Sequence, residues 1–288
     1  MSLQSTPATR PTGRRGGAPL AFEVVSTEWL TPHLVRVVIG GDSFDAWIAE
    51  AVPERLEKTD TYAKLLFAKP ELGLEQPYDL EALRETLAPA DMPVMRTYTI
   101  RAIDRASRTL AIDFVVHGAE GVAGPWAANA VAGDLLTLSG PGGQYSPAGG
   151  DAQHLLIGDE SAIPAITAAV EALDAAAHGL VLIEVAGPED EIPLVVPDGV
   201  ELRWLHRGAA EYGALLVEAV AALDRPEGQV DVFAHGEREA MKRLRGILHG
   251  EWGIDRRALS LSAYWAKGRT EDRFQAEKRE PVGQIFED

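Results

Sequence analysis

The pattern of apolar residues changes once, near residue 150, and that change decides what the chain can fold into. Before it, short β-like runs alternate with Gly, Pro and Asp. They fall at Ala21–Val25, Val35–Ile39, Ala63–Phe67, Thr97–Ile103, Leu110–His117 and Leu135–Ser139. Six short strands in about 125 residues predict a small antiparallel barrel. Two segments interrupt it. Residues 69–95 form a long acidic insertion with a short helix at Leu80–Leu87, and Val122–Ala130 reads as one helix with Pro125 in its first turn. After residue 150, strands and helices alternate. Strands are expected at His154–Ile157, Leu180–Ala186, Glu201–Leu205, Val230–Ala234 and Leu259–Trp265, and helices at Ile163–Ala176, Tyr212–Leu223 and Arg238–Leu248. That order predicts a doubly wound parallel sheet with helices on its faces.

The expected organisation is therefore a tail over 1–20, a barrel domain over 21–147, an α/β domain over 151–265 and a helical tail over 266–288. The Pro/Gly-rich stretch Gly140–Gly150 links the two domains. The first tail carries Arg10, Arg14 and Arg15 without an acid, has no periodicity, and is expected to be disordered.

Composition removes several function classes. The 288 residues include no cysteine, which excludes a disulfide scaffold, a Cys nucleophile and Cys-ligated iron–sulfur clusters. The seven histidines are scattered without i, i+2 or i, i+4 pairs, so no protein-bound metal is expected. With 27 basic and 44 acidic residues the net charge is −17, which opposes nucleic-acid binding. No apolar run approaches the roughly 20 residues of a membrane span, and no secretory signal is read at the start. A cytoplasmic, monomeric enzyme or binding protein is the expectation.

Three constellations carry chemistry. In Arg96-Thr97-Tyr98-Thr99-Ile100-Arg101, strand alternation puts Arg96 and Tyr98 on one face and Thr97, Thr99 and Arg101 on the other. A guanidinium suits a phosphate, a tyrosine ring suits a planar group, and a threonine hydroxyl suits its edge. An ordinary barrel strand with a solvated arginine would look the same. In the segment from His117 to Ala128 a strand ends, glycines follow and a helix begins, as at an anion-binding turn or at a plain β–α connection. Gly158-Asp159-Glu160-Ser161-Ala162-Ile163-Pro164 lies between the first strand and helix of the second domain, where a doubly wound fold receives a nucleotide. Its acids oppose a phosphate.

The first two segments resemble the siderophore-interacting protein family, FAD-containing ferric-siderophore reductases related to ferredoxin–NADP reductase. Arg96-Thr97-Tyr98-Thr99 is similar to the family's Arg-x-Tyr-Ser/Thr flavin signature. Asp113-Phe114-Val115-Val116-His117-Gly118 with Gly124-Pro125-Trp126-Ala127 is similar to its second flavin segment. Tyr62–Phe67 matches its Lys-bearing strand, and Tyr264-Trp265-x-x-Gly268-Arg269 its C-terminal signature. The likeness spans roughly residues 20–278. It implies FAD binding by Arg96, Thr97, Tyr98, Thr99, Asp113, Val115, His117, Gly121, Ala123, Gly124 and Trp126. Arg96 would contact the diphosphate, Tyr98 the isoalloxazine and Thr99 its N5 edge.

The resemblance also makes Lys64, Arg101, Lys267 and Arg269 candidates for an anionic ferric chelate. NADPH or NADH would be met by Gly158, Asp159, Glu160 and Ser161, and by His235, Gly236 and Glu237. Ala234-His235-Gly236-Glu237 with Met241 resembles the wider superfamily's Cys-Gly-Pro-x-x-Met segment, with Ala234 read in the place of Cys. Arg207, Arg238, Lys242 and Arg243 are candidates for a 2′-phosphate. The implied activity is FAD-dependent reduction of a ferric siderophore to release Fe(II). The alternatives are the same reductase fed by ferredoxin or another protein, a siderophore-binding protein without turnover, and a flavin sensor or transferase on the same fold.

Overall fold

The structure is a computed structural model that describes residues 18–118 and 121–286. The N-terminal tail therefore lies almost wholly outside the described residues; Leu20 already opens the first strand. Six strands, β1 (Leu20–Thr31), β2 (Leu34–Gly40), β3 (Tyr62–Phe67), β4 (Val94–Asp104), β5 (Thr109–Val115) and β6 (Leu135–Gly142), close an antiparallel barrel in the order β1-β2-β5-β4-β3-β6. Alternation fills its interior: Phe22, Val37, Leu65, Ile112, Phe114 and Leu138 are fully buried. The expected antiparallel barrel is thus observed, with longer strands. Two helices not expected from the sequence, α1 (Ser43–Glu50) and α2 (Pro53–Leu56), follow β2. Phe44 and Trp47 of α1 point into the barrel core. The acidic insertion holds α3 (Leu80–Thr86), capped by Asp79, which accepts from the Glu81 and Ala82 amides. Helix α4 (Ala123–Asn129) follows β5.

The second half is a five-stranded parallel sheet in the order β11-β10-β7-β8-β9. Its strands are β7 (Gln153–Asp159), β8 (His178–Val185), β9 (Gly199–His206), β10 (Val230–Glu237) and β11 (Leu259–Trp265). Helix α5 (Ile163–Glu171) covers one face, while α6 (Ala214–Ala221) and α7 (Arg238–Arg245) cover the other. The doubly wound expectation is met. Several helix boundaries move; α7, for one, ends at Arg245 instead of Leu248 and continues as a wider turn over Gly246–Glu251. α6 starts at Ala214 instead of Tyr212, because Gly213 takes a left-handed turn at φ 71°. α5 ends at Glu171, short of the expected Ala176.

Two features position the site. The chain runs from β7 outward to β9, then returns to β10 on the other side of β7, so the carboxyl ends of β7 and β10 form the sheet's switch point. The apolar cluster around α5 also includes Leu34 of β2 and Tyr145 just after β6, so one core joins both halves. Helix α8 (Glu271–Glu277) follows β11 and is anchored by buried Phe274 and Glu277. Among the described residues no helix is long and apolar enough to cross a membrane.

Candidate functional site

Strand β4 presents two faces. Arg96 reaches toward α8, where Asp272 accepts its guanidinium at 2.8 and 3.3 Å. Tyr98 shares that face, and its ring packs 4.5 Å from Phe114. Trp126 of α4 lies 5.7 Å from Phe114 and 5.5 Å from Phe67, extending an aromatic ladder from the strand to the helix. Burial, with Glu271 close by, pushes the Tyr98 hydroxyl up, so it stays neutral. On the opposite face Thr99 is buried, with the hydroxyl of Tyr264 from the end of β11 close by. Thr97, exposed, pairs across to Lys64 on β3. The Arg-x-Tyr-Thr strand thus sits between α8 and β11. The C-terminal helix, whose place the sequence left open, lies against the arginine.

The segment after β5 divides. Asp113 is 3% exposed and accepts two bonds from Arg36 of β2, at 2.6 and 2.8 Å. It is a wall ion pair of the barrel, not a ligand-facing group as expected: β2 and β5 pair in a register that sets Arg36 directly opposite. Val115 pairs with Leu34 and packs into the core around α5. His117 is exposed, its ring 6.2 Å from that of His33, and partial burial lowers its pKa. Gly121 adopts φ 78°. A side chain at Gly124 would meet the Val115 carbonyl oxygen at 3.1 Å, so glycine lets α4 lie close on the strand. Ala119 and Glu120 of this turn lie outside the described residues. The guanidinium of Arg96, the aromatic ladder and the glycine turn fit a flavin dinucleotide, which needs a cation, a flat apolar partner and a close backbone.

The switch point differs in character. A Cβ at Gly158 would lie 2.8 Å from the His235 carbonyl oxygen and 2.5 Å from the Ala162 Cβ, so only glycine fits. Asp159 is buried. It accepts from the amides of Ser161 (3.0 Å) and Glu237 (2.8 Å), and from the Trp265 indole (2.8 Å). Burial, with Glu160 beside it, raises its pKa to about 6. Gly236 leaves it room, since a Cβ there would meet the Asp159 carboxylate at 2.6 Å. Glu237 is buried too and caps α7, accepting from the Glu239 and Ala240 amides. Its other oxygen takes the Lys267 amide at 3.1 Å. Glu160 pairs with Arg207 at 2.9 Å. Arg207 also reaches Glu184 at 3.5 Å and lies 4.1 Å over the Tyr212 ring. Glu184, fully buried, accepts from the Gly213 and Leu215 amides.

Asp159, Glu160, Ser161 and Glu237, expected to meet a nucleotide, are thus bonded within the protein. The physical reason is that buried carboxylates need partners, and here backbone amides, the Trp265 indole and the charge of Arg207 supply them. Arg207 and Arg238, considered for a 2′-phosphate, are buried and neutralised, the latter by Glu277 at 2.6 Å. Lys242 bonds the Val282 carbonyl and Glu239.

His235 is the exception. Standing directly before Gly236, it, and not Ala234, occupies the cysteine's place in the Cys-Gly-Pro comparison. It is 5% exposed, stacked on Phe233 at 4.0 Å and edge-on to Tyr264 at 4.7 Å. Nε2 contacts the Ser260 hydroxyl at 3.0 Å, while buried Nδ1, like Oε1 of Glu160, has no hydrogen-bond partner among the described residues. Burial lowers its pKa to about 3, so the ring is neutral.

Of the four cations expected to meet a chelate, three are spent. Arg101 donates to Glu171 of α5 at 2.9 and 2.5 Å, Lys267 pairs with Glu211 at 2.5 Å, and Arg269 bonds Glu277 at 2.9 Å. Lys64 makes no ion pair among the described residues. Lys278 was missed: its ammonium lies 4.6 Å over the Phe274 ring and feels the charge of Glu271, without a close ion pair among the described residues. The available signal was the helical spacing of Glu271, Gln275 and Lys278.

Comparisons with known proteins agree with this arrangement. Residues 23–145 match the siderophore-interacting FAD-binding domain, and residues 151–268 the siderophore-interacting protein family. An uncharacterized protein of Mycobacterium tuberculosis is 47% identical over 279 residues, covering 92% of this chain and 96% of the relative. The ferric vibriobactin reductase ViuB of Vibrio cholerae is 30% identical over 270 residues, covering 93% and 97%. An NADPH-dependent ferric-chelate reductase of Escherichia coli is 28% identical over 245 residues, covering 84% and 91%. Among solved structures, a siderophore utilization protein from T. fusca is 34% identical with a TM-score of 0.74, covering 88% of this chain and 94% of that one. A ferredoxin reductase of carbazole 1,9a-dioxygenase, 18% identical with a TM-score of 0.62 and coverages of 85% and 68%, shares the fold. A barrel with an Arg-x-Tyr-Thr strand, closed against a parallel sheet of this order, thus makes the chain a member of the siderophore-interacting protein family, with a FAD-binding domain on the ferredoxin-reductase fold.

Proposed function

We propose that the chain reduces the iron of a ferric siderophore through bound FAD, with electrons from a nicotinamide dinucleotide. The observation that carries the reading is the β4 strand, which sets Arg96 and Tyr98 beside the aromatic ladder and Thr99 beside Tyr264 of the second domain. FAD supplies the change from a two-electron donor to one-electron acceptors. Overall, one reduced nicotinamide and two ferric ions give the oxidised nicotinamide, two ferrous ions and one proton. The chain's own part is to hold and orient. Arg96 offers a charge to the diphosphate, Tyr98 and Trp126 offer flat apolar contact, and Thr99 and Tyr264 define the edge facing the sheet. On a protein of net charge −17 an anionic chelate needs local cations, and Lys64 and Lys278 make no close ion pair among the described residues.

A protein donor such as ferredoxin is the second reading. It is favoured by the turn after β7, whose acids leave no cation for a nucleotide phosphate. The separating experiment is anaerobic addition of NADH or NADPH to the yellow holoprotein, followed at the flavin band near about 450 nm, with Fe(II) trapped by ferrozine. Bleaching followed by Fe(II) supports the first reading. No bleaching by either nucleotide, with Fe(II) still formed from photoreduced flavin, supports a protein donor. A colourless protein that binds the chelate without turnover would refute both. Lys64→Ala should raise the KM for an anionic chelate and spare a neutral one.

A further inference from the structure

Three strands end on one carboxylate. Asp159 closes β7, the middle strand of the sheet, and is 1% exposed. One of its oxygens accepts the Glu237 amide at the end of β10 and the Trp265 indole at the end of β11, both at 2.8 Å. The other accepts the Ser161 amide at 3.0 Å and the Ser161 hydroxyl at 2.5 Å. All four partners are donors, and the three nitrogens cannot accept. An ionised carboxylate answers such a set, and a carboxylic acid answers it poorly. On protonation the hydrogen must turn to the Ser161 hydroxyl, and the oxygen facing β10 and β11 loses its charge. The bonds to Glu237 and Trp265 then drop from charge-assisted to neutral strength.

These bonds place the last strand of the sheet. Trp265 directly follows Tyr264, whose hydroxyl lies close to Thr99 of β4. Tyr212 packs edge-on against the indole at 4.9 Å, so the ring that Asp159 holds is also wedged from the loop after β9. The charged and titratable groups facing the carboxylate come from three elements. Glu160, in the turn after β7, is paired to Arg207. Tyr264 comes from β11. Glu237 of β10 offers its amide, while its own carboxylate is turned to the amides of α7 and of Lys267. Burial, with Glu160 close by, lifts the pKa of Asp159 to about 6, so the bond set changes character within an accessible pH range.

We propose that Asp159 is a positioning residue: its ionised carboxylate holds the ends of β10 and β11, and so keeps Tyr264 and the carboxyl edge of the sheet set against β4 for reduction of the flavin. The proposal rests on the nicotinamide reading above and adds to it a buried residue that acts through Trp265 and Glu237.

The test mixes the FAD-loaded full chain anaerobically with NADH and with NADPH at pH values from about 5.5 to about 8, following the rate of flavin bleaching. In the wild type that rate should fall about five- to tenfold as pH drops through about 6, while the dissociation constant of the nucleotide changes less than about twofold. Asp159→Asn, a neutral isostere, should show the low rate at every pH. Trp265→Phe keeps a ring against Tyr212 but removes one donor, so the charged form is held less well and the midpoint should rise by about one pH unit. In proton NMR spectra the indole N–H resonance of Trp265, identified by its loss in Trp265→Phe, should titrate with the wild-type midpoint. Thermal melting shows which variants are folded; if Asp159→Asn is not, Trp265→Phe and the indole titration decide. A bleaching rate that ignores pH, a folded Asp159→Asn that behaves as the wild type, or a midpoint unmoved in Trp265→Phe overturns the positioning role and leaves the nicotinamide reading standing. Failure of both nucleotides to bleach the wild type at any pH removes the nicotinamide reading and the proposal with it.

Discussion

The barrel and the parallel sheet handle charge in opposite ways. The barrel fills its interior with apolar side chains and holds one buried acid, Asp113, against Arg36 in its wall, while Arg96, bonded to exposed Asp272, and exposed Lys64 lie toward its surface. The sheet draws charge inward: Asp159, Glu160, Glu184 and Glu237 are all buried at its carboxyl edge and held by amides, an indole or an arginine. In one half most charged groups stay toward the surface; in the other they are joints of the scaffold. The same residue types at corresponding places, a turn between strand and helix, therefore do different work.

The difference can be broken most forcefully at Glu184. Replacing it by Ala strands the Gly213 and Leu215 amides and half-frees Arg207, and should cost about 3–5 kcal/mol in urea unfolding. A loss below about 1 kcal/mol would mean that the sheet's acids are not structural joints. Next is the pH dependence set by Asp159. Its folded pKa of about 6 lies above the ordinary carboxyl value, so the folded state holds the proton more tightly. Stability should then fall as pH rises from about 4 to about 6, by about 3 kcal/mol for this group. Asp159→Asn should flatten that slope in denaturation curves taken across the window.

The barrel side predicts the reverse pattern, with binding affected more than folding. Arg96→Ala should weaken FAD retention by about 1.5–3 kcal/mol and leave the melting temperature of the FAD-free protein nearly unchanged, as read by flavin release and thermal melting. Asp272→Asn removes the mostly exposed partner of Arg96. It should alter stability by less than about 1 kcal/mol and make FAD slightly harder to wash out.

These differences also explain what could be read in advance. The barrel strands follow a period-two pattern, and Arg96, Tyr98 and Thr99 lie within four residues, so motif and geometry coincide. Helices α1 and α2 were missed because Ser43–Leu56 mixes apolar residues with Pro53 and shows no clean period. In the sheet, Asp159 and Glu160 take partners from distant segments (Glu237, Trp265 and Arg207), so nothing local distinguishes a carboxylate awaiting a ligand from one already satisfied. The carboxylate of Glu277, which gathers Arg238, Arg269 and Arg273, is a further case. His235 was placed at the donor edge by its neighbours in sequence, but its bare nitrogen appears only when every surrounding group is counted.

Helix α5 has a last consequence. Ile163, Ile166 and Val170 share a single apolar cluster with Leu34 and Tyr145 of the barrel side, and Glu171 at its end is bonded to Arg101. A hinge between the halves would have to tear that cluster open. The spacing between the carboxyl edge of the sheet and β4 is therefore fixed when the chain folds, as in a machined part and not a jaw. Turnover limited by electron transfer should track the driving force of the ferric chelate and ignore the viscosity of the medium.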